Sequence, residues 1–223
     1  MAKFDDWKRK QVIDAGFGGL LDLQQINLIN RRYTTWLLGW VCPERRTLAV
    51  GKILEVKLTP KNVNKVLGIP CEGLAVCPME DESKEERDSF VQLVIGAPGF
   101  EENPVVGAEQ VVSQTYTEDM KRNQGDMFTT AFAVWIVGTF LAPTTSHKSK
   151  VNNSPGSIDF WGALQKVDAI KDYNWAEYVL EHLLEAAKKA QEDLRCKNSY
   201  TVWSAWLGSV STVSVGLKGT GNR

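Results

Sequence analysis

The chain has 223 residues, 43% hydrophobic and 24% charged, which suits a packed core and excludes a disordered polar chain. Its 26 basic and 27 acidic residues leave a net charge of −1, so no global field draws it to nucleic acid or to an anionic membrane. The charged start lacks an apolar signal region, and Cys42, Cys71, Cys77 and Cys196 form no Cys-x-x-Cys pair, so an intracellular chain with reduced thiols is expected.

Residues 3–14 are predicted to form a short helix carrying Phe4, Trp7 and Val12, with Gly16 as its stop. Gly16-Phe17-Gly18-Gly19-Leu20-Leu21 follows. A dinucleotide-binding loop needs a strand before it and a later third glycine. Here the upstream segment reads as helix, so a tight turn burying Phe17, Leu20 and Leu21 is expected. Asn30 is placed to cap a helix over 31–41 that turns Tyr33, Trp36, Leu37 and Trp40 inward. Residues 46–50 and 53–58 read as two short strands around Gly51-Lys52. Leu54, Val56 and Leu58 alternate with Glu55 and Lys57, so one strand face is expected to be buried. Thr59 as cap, Pro60 at the first helical position, Gly68 as stop and Pro70 beyond it define a helix over 60–67.

Residues 71–88 form a hydrophilic connector whose acidic run, 80–88, reads as a solvated loop. Cys71 and Cys77 lack zinc-knuckle spacing and have no histidine nearby. A further amphipathic turn is read over 89–95 and a loop over 96–107. Residues 126–142 are nearly all apolar, with Asp126 as cap and Pro143 as stop. A membrane span takes about 20 apolar residues, so this shorter run is read as a buried central helix. A polar loop with His147 and a short helical piece over 157–167 come next. The clearest helix spans 172–195. Asn174 caps it with Glu177 three residues on, and Trp175, Val179, Leu183, Ala186, Ala190 and Leu194 define its apolar face. After 198 the chain turns rich in Ser, Thr, Gly and Val.

Catalytic signatures are lacking. His147 and His182 are the only histidines, and no nucleophile elbow, zinc-protease pair or phosphate loop is spelled out. The expectation is a protein that is not an enzyme, with no catalytic residues, no metal ligands and no cofactor.

Several ordered stretches resemble the plant mobile domain family. They are Gly16-Phe17-Gly18-Gly19-Leu20-Leu21, Arg46-Thr47-Leu48, the run from Leu58-Thr59-Pro60 to Leu67-Gly68-Ile69-Pro70, Phe160-Trp161-Gly162-Ala163-Leu164, and Tyr173-Asn174-Trp175-Ala176-Glu177-Tyr178-Val179-Leu180. The resemblance implies a mainly helical fold and a transposon-derived plant nuclear protein acting in gene or transposon silencing through a protein partner, in some members phosphatase-like. It transfers no catalytic residue, and the family's "aminotransferase-like" label finds no pyridoxal-phosphate lysine site here. The family's next apolar helix is replaced by residues 201–217, so a truncated mobile-element relic with a new role in a selfish or defence-related locus is the alternative.

The expected fold is therefore mainly α: a helical domain over 1–197 around two core helices, with a small β-hairpin, and a divergent tail over 198–223. Trp203, Trp206 and Leu207 of the tail, with Val202, are the candidate partner surface, with self-association as one use of it. No intrinsic nucleic-acid binding and no membrane insertion are expected, and the location expected is nucleus or cytoplasm.

Overall fold

The structure, a computed structural model, describes residues 4–23, 30–50, 54–77, 104–143 and 160–196. The acidic run, His147 and the tail surface Trp203, Trp206 and Leu207 lie outside them. The described chain is mainly helical with one small antiparallel sheet, and it gathers into two compact units. One comprises Met1–Leu21 and Thr59–His182, the other Asp22–Leu58 and Leu183–Arg223.

In the first unit, helix α1 (Asp6–Asp14) starts where the Asp5 carboxylate accepts from the Lys8 backbone N–H at 2.9 Å. Gly16 takes φ +86° and turns the chain into a 3-10 segment, Gly18–Asp22. Phe17 and Leu20 are fully buried and Leu21 is half-buried. Helix α3 (Pro60–Leu67) has the expected design: Thr59 and Asn62 form a capping box, Pro60 opens the helix and Gly68 closes it at φ +62°. A Cβ on Gly19 would sit 2.4 Å from the Gly68 Cα. The glycine-rich loop is thus spent on backbone-to-backbone contact with the end of α3, and it follows a helix where a phosphate loop would follow a strand.

Helix α4 (Pro104–Ser113) occupies ground expected to be partly loop. Pro104 stands at its start, where a missing N–H is harmless. Helix α5 (Glu118–Asn123), capped by Thr117, leads into α6 (Gly125–Ile136). Helix α6 is entered at Gln124, two residues earlier than an Asp126 cap requires, and Asp126 lies in its first turn beside the positive dipole end. Phe128, Thr129, Thr130, Ala131, Phe132, Ala133 and Val134 are all buried, as a helix surrounded by core must be. The helix runs on into a π turn, Val137–Leu141, closed by Ala142 N–H donating to the Val137 carbonyl at 2.9 Å. Pro143 stands beyond it.

A 3-10 turn, Trp161–Leu164, falls within the short helical piece expected over 157–167, and a second, Val167–Asp172, follows where none is expected. Helix α7 (Trp175–Cys196) begins as read, with Asn174 Oδ1 accepting from Glu177 N–H at 2.9 Å. Its buried face differs from the expected stripe. Ala176, Leu180, Leu184 and Ala187 are buried with Trp175, Val179 and Ala190, while Leu183 and Ala186 are half-buried. The turn-in is set by polar ties at both ends. The Trp175 indole N–H donates to the Ile170 carbonyl at 2.7 Å, and Ala176 N–H donates to the Pro70 carbonyl at 2.8 Å. Gln191 then fixes the far half, as described below. Phe17 links the two core helices, its ring centroid 6.0 Å from Phe132 of α6 and 5.4 Å from Trp175 of α7.

In the second unit, Asn30 caps helix α2 (Arg31–Gly39) by accepting from Tyr33 N–H at 3.1 Å. The chain passes directly into strands β1 (Val41–Cys42), β2 (Thr47–Val50) and β3 (Leu54–Lys57), a three-stranded antiparallel meander in that order. Val41, Leu48 and Val56 stand opposite one another across the sheet. Two expectations fail here. Strand β3 is exposed at all four residues, because burial declines from Val41 beside α2 to the edge strand. The aromatic residues of α2 face outward, and their geometry defines the most distinctive surface of the described chain.

Candidate interaction surface

Tyr33, Trp36 and Trp40 recur at three- and four-residue spacing, so they lie on one face of α2. They are 57%, 50% and 39% exposed. The rings touch one another: Tyr33 stacks on Trp36 with centroids 5.7 Å apart, and Trp36 meets Trp40 edge-on at 5.9 Å. Leu38 of the same helix is buried. At 3.6 residues per turn the three rings stand about 140° to 200° around the axis from Leu38, so packing the Leu38 side turns the rings away from it.

Hydrogen bonds hold the helix in this roll. The Gln191 side chain of α7 donates to the Leu38 and Val41 carbonyls at 2.9 and 2.8 Å, occupying acceptors that the end of α2 leaves free. Ala49 N–H of β2 donates to the Trp40 carbonyl at 3.0 Å and anchors the last rung. The ladder is therefore a preorganised exposed aromatic face, the composition from which binding hot spots are built. Close by in sequence, Arg45 donates to Cys42 Sγ at 3.3 Å and lies 3.5 Å from Glu55. The Cys42 contact first, then Glu55, raises the Arg45 pKa above its usual value, so the side chain stays cationic.

The most buried cation among the described residues is structural. Lys8 of α1 is 8% exposed, and its Nζ donates to the Val112 and Gln114 carbonyls, each at 2.8 Å. Three rings surround it, Phe4, Tyr116 and Phe128, with centroids 5.3 to 5.8 Å away. Burial lowers its pKa, partly offset by Asp5. An amine held between two carbonyls at the negative end of α4 and three aromatic walls serves as a helix cap and has no space to act as a nucleophile. His182 is half-buried with its ring 4.4 Å from Tyr178 of the same helix. Cys42, Cys71 and Cys77 are free thiols. Among the described residues no group of three or more His, Cys, Asp or Glu could hold a metal ion, and no helix is long and apolar enough to cross a membrane.

The candidate surface expected from the sequence, Trp203, Trp206 and Leu207, lies outside the described residues, and the Tyr33, Trp36 and Trp40 face, expected in the core, is exposed. The signal that was present is the shortness of α2: nine residues with Leu38 on one side and three large aromatics on the other exceed what one core face needs.

Fold and surface together define a mainly helical protein with a small antiparallel sheet and an exposed aromatic face. The chain belongs to the family described as a domain of unknown function, DUF8566, whose model matches residues 1–202. No curated protein and no solved structure matches it.

Proposed function

We propose that the chain is a non-catalytic protein-interaction module that captures a protein partner on the Tyr33–Trp36–Trp40 face. The observation that carries this reading is three mutually contacting, half-exposed aromatic rings on a helix locked by Gln191 and Asn30. Exposing such rings is costly in water unless something covers them in use. The long-range polar contacts of Lys8 and Gln191 close backbone acceptors, a structural use that supports a binding role over chemistry. The likeness of the ordered motifs to plant mobile domains supports a nuclear setting, with gene or transposon silencing as the process and a phosphatase-like protein as one partner.

The test is capture of partners from plant nuclear extract by the wild-type chain and by Trp36→Ala, followed by reconstitution with the purified partner. A direct complex that Trp36→Ala weakens while leaving the fold intact supports the reading. A partner bound equally well by both chains removes the aromatic face from it.

A further inference from the structure

Strand β3 is an edge strand whose sequence is complementary to itself. Leu58 N–H donates to the Arg46 carbonyl at 2.7 Å, and the register pairs Leu48 with Val56 and Val50 with Leu54. Antiparallel pairs alternate between hydrogen-bonded and non-bonded, so the backbone groups of Leu54 and Val56 point toward β2 and those of Glu55 and Lys57 point out. Glu55 and Lys57 thus stand at the non-bonded positions of the β2–β3 ladder, and both side chains are exposed. Leu54 is 57% and Val56 37% exposed on the opposite face.

We propose that two copies of this chain pair through β3 about a two-fold axis at Val56. The occupant of the free edge is then a second Leu54-Glu55-Val56-Lys57-Leu58 run in antiparallel orientation. Centred on Val56, this register sets Glu55 opposite Lys57 of the other copy, twice, and Leu54 opposite Leu58, twice. The Glu55–Lys57 pairs fall at the outward-pointing positions, where the hydrogen bonds must form. Val56 meets Val56 at a non-bonded position, where side chains approach most closely. Shifting the centre to Glu55 keeps outward-pointing residues opposite one another but sets Glu55 face to face with Glu55, so the charge pattern selects the register centred on Val56. An edge lysine ordinarily blocks pairing of this kind. Here the symmetric register gives each lysine a carboxylate. Glu55 already accepts from Thr47 at 2.7 Å through Oε1 and lies 3.5 Å from Arg45, which leaves Oε2 for the second copy. Five residues a side make a small interface, so the dimer is weak and concentration-dependent.

Sedimentation of the full chain over a concentration series tests this. Lys57→Glu and Glu55→Lys each set like charges opposite at both symmetric positions and are expected to weaken dimerisation roughly tenfold or more. The double swap Glu55→Lys with Lys57→Glu restores opposite charges across the axis and is expected to recover the dimer. Oxidation of Val56→Cys is expected to link position 56 to position 56 of the second copy, since non-bonded pairs hold their Cα atoms about 4.5 Å apart, within disulfide reach. Leu54→Cys, whose partner is Leu58, is expected to give no such self-link. A wild-type chain that stays monomeric up to roughly 1 mM, the weak end of specific association, overturns the proposal. So does a dimer indifferent to both single swaps, or one that the double swap fails to recover.

Discussion

Trp175 and Trp36 sit on helices with the same local grammar. Each helix has an asparagine cap accepting from the third residue on, and each carries aromatic and aliphatic residues at three- and four-residue spacing. Their environments are opposite. Trp175 is fully buried, its indole N–H is paired to Ile170, and Phe17, Phe160 and Tyr178 surround its ring. Trp36 is half-exposed and touches Tyr33 and Trp40 of its own helix. Spacing defines a face. Whether the face is covered depends on chain segments distant in sequence, and a helical period carries no record of them.

The largest effect separating the two regions is expected in the first unit's core. Phe132 is fully buried between Phe17, Phe128 and Trp135. Phe132→Ala should cost about 3–5 kcal/mol, read as a lower urea midpoint, because the neighbouring rings cannot collapse into the space. An effect below about 1 kcal/mol would mean that α6 is loosely packed and that the contrast between the regions is wrong.

A glycine pair sharpens the same contrast. Gly19→Ala forces a methyl to within 2.4 Å of the Gly68 backbone, and overpacking of this kind costs about 1–3 kcal/mol or more. Gly39 ends α2 with nothing within 4 Å of its added Cβ, so Gly39→Ala is expected to stabilise by about 0.5–1 kcal/mol through helix propensity. Thermal melts of the two variants should move in opposite directions. A shared direction would show that the close approach of Gly19 to Gly68 is not maintained in solution.

Lys8→Met keeps the length of the side chain and removes the charge and both donors. Leaving the Val112 and Gln114 carbonyls without Nζ should cost about 1–3 kcal/mol at neutral pH. The pH dependence has a definite sign. Burial holds the folded-state pKa of Lys8 below 10.5, so the folded chain releases this proton before the unfolded chain does. The unfolded state binds more protons in that window, and stability therefore rises with pH from the lowered pKa up to the ordinary one. The advantage of wild type over Lys8→Met should grow across that range in urea titrations. A gap that narrows would mean that the surrounding carbonyls and rings hold the ammonium form more tightly than water does.

Much of the fold was legible because it is written locally. Thr59, Pro60 and Gly68 state where α3 starts and stops, Asn174 states where α7 starts, and the unbroken apolar run states that α6 is central. Helix α4 was obscured because Pro104 and Gly107 read as loop residues, while in the fold the proline opens the helix and the glycine is buried within it. The buried face of α7 was misplaced because its roll is set by Gln191 reaching carbonyls about 150 positions earlier, a contact that no local pattern encodes. Lys8 was legible only as a charged residue. Its role needs the end of α4 and the Phe4, Tyr116 and Phe128 rings to be brought around it.

The smallest expected effect on stability belongs to Trp36→Ala, and it is the most informative about function. The ring gives up two aromatic contacts, each worth about 0.5–1.5 kcal/mol when well packed, but half of its surface is already wet. Alanine returns part of the loss through its higher helix propensity, about 0.5 kcal/mol. The melting temperature should therefore stay close to wild type, in contrast to Phe132→Ala. Binding is expected to behave differently, because a tryptophan at the centre of a desolvated interface commonly contributes 2 kcal/mol or more, about a thirtyfold change in affinity. Calorimetry with the captured partner, run beside a thermal melt, separates the two readouts. Lost affinity with an unchanged melt identifies the ladder as the recognition face. A melt that falls as far as that of Phe132→Ala would place Trp36 in a core, and the distinction between the two helices would disappear.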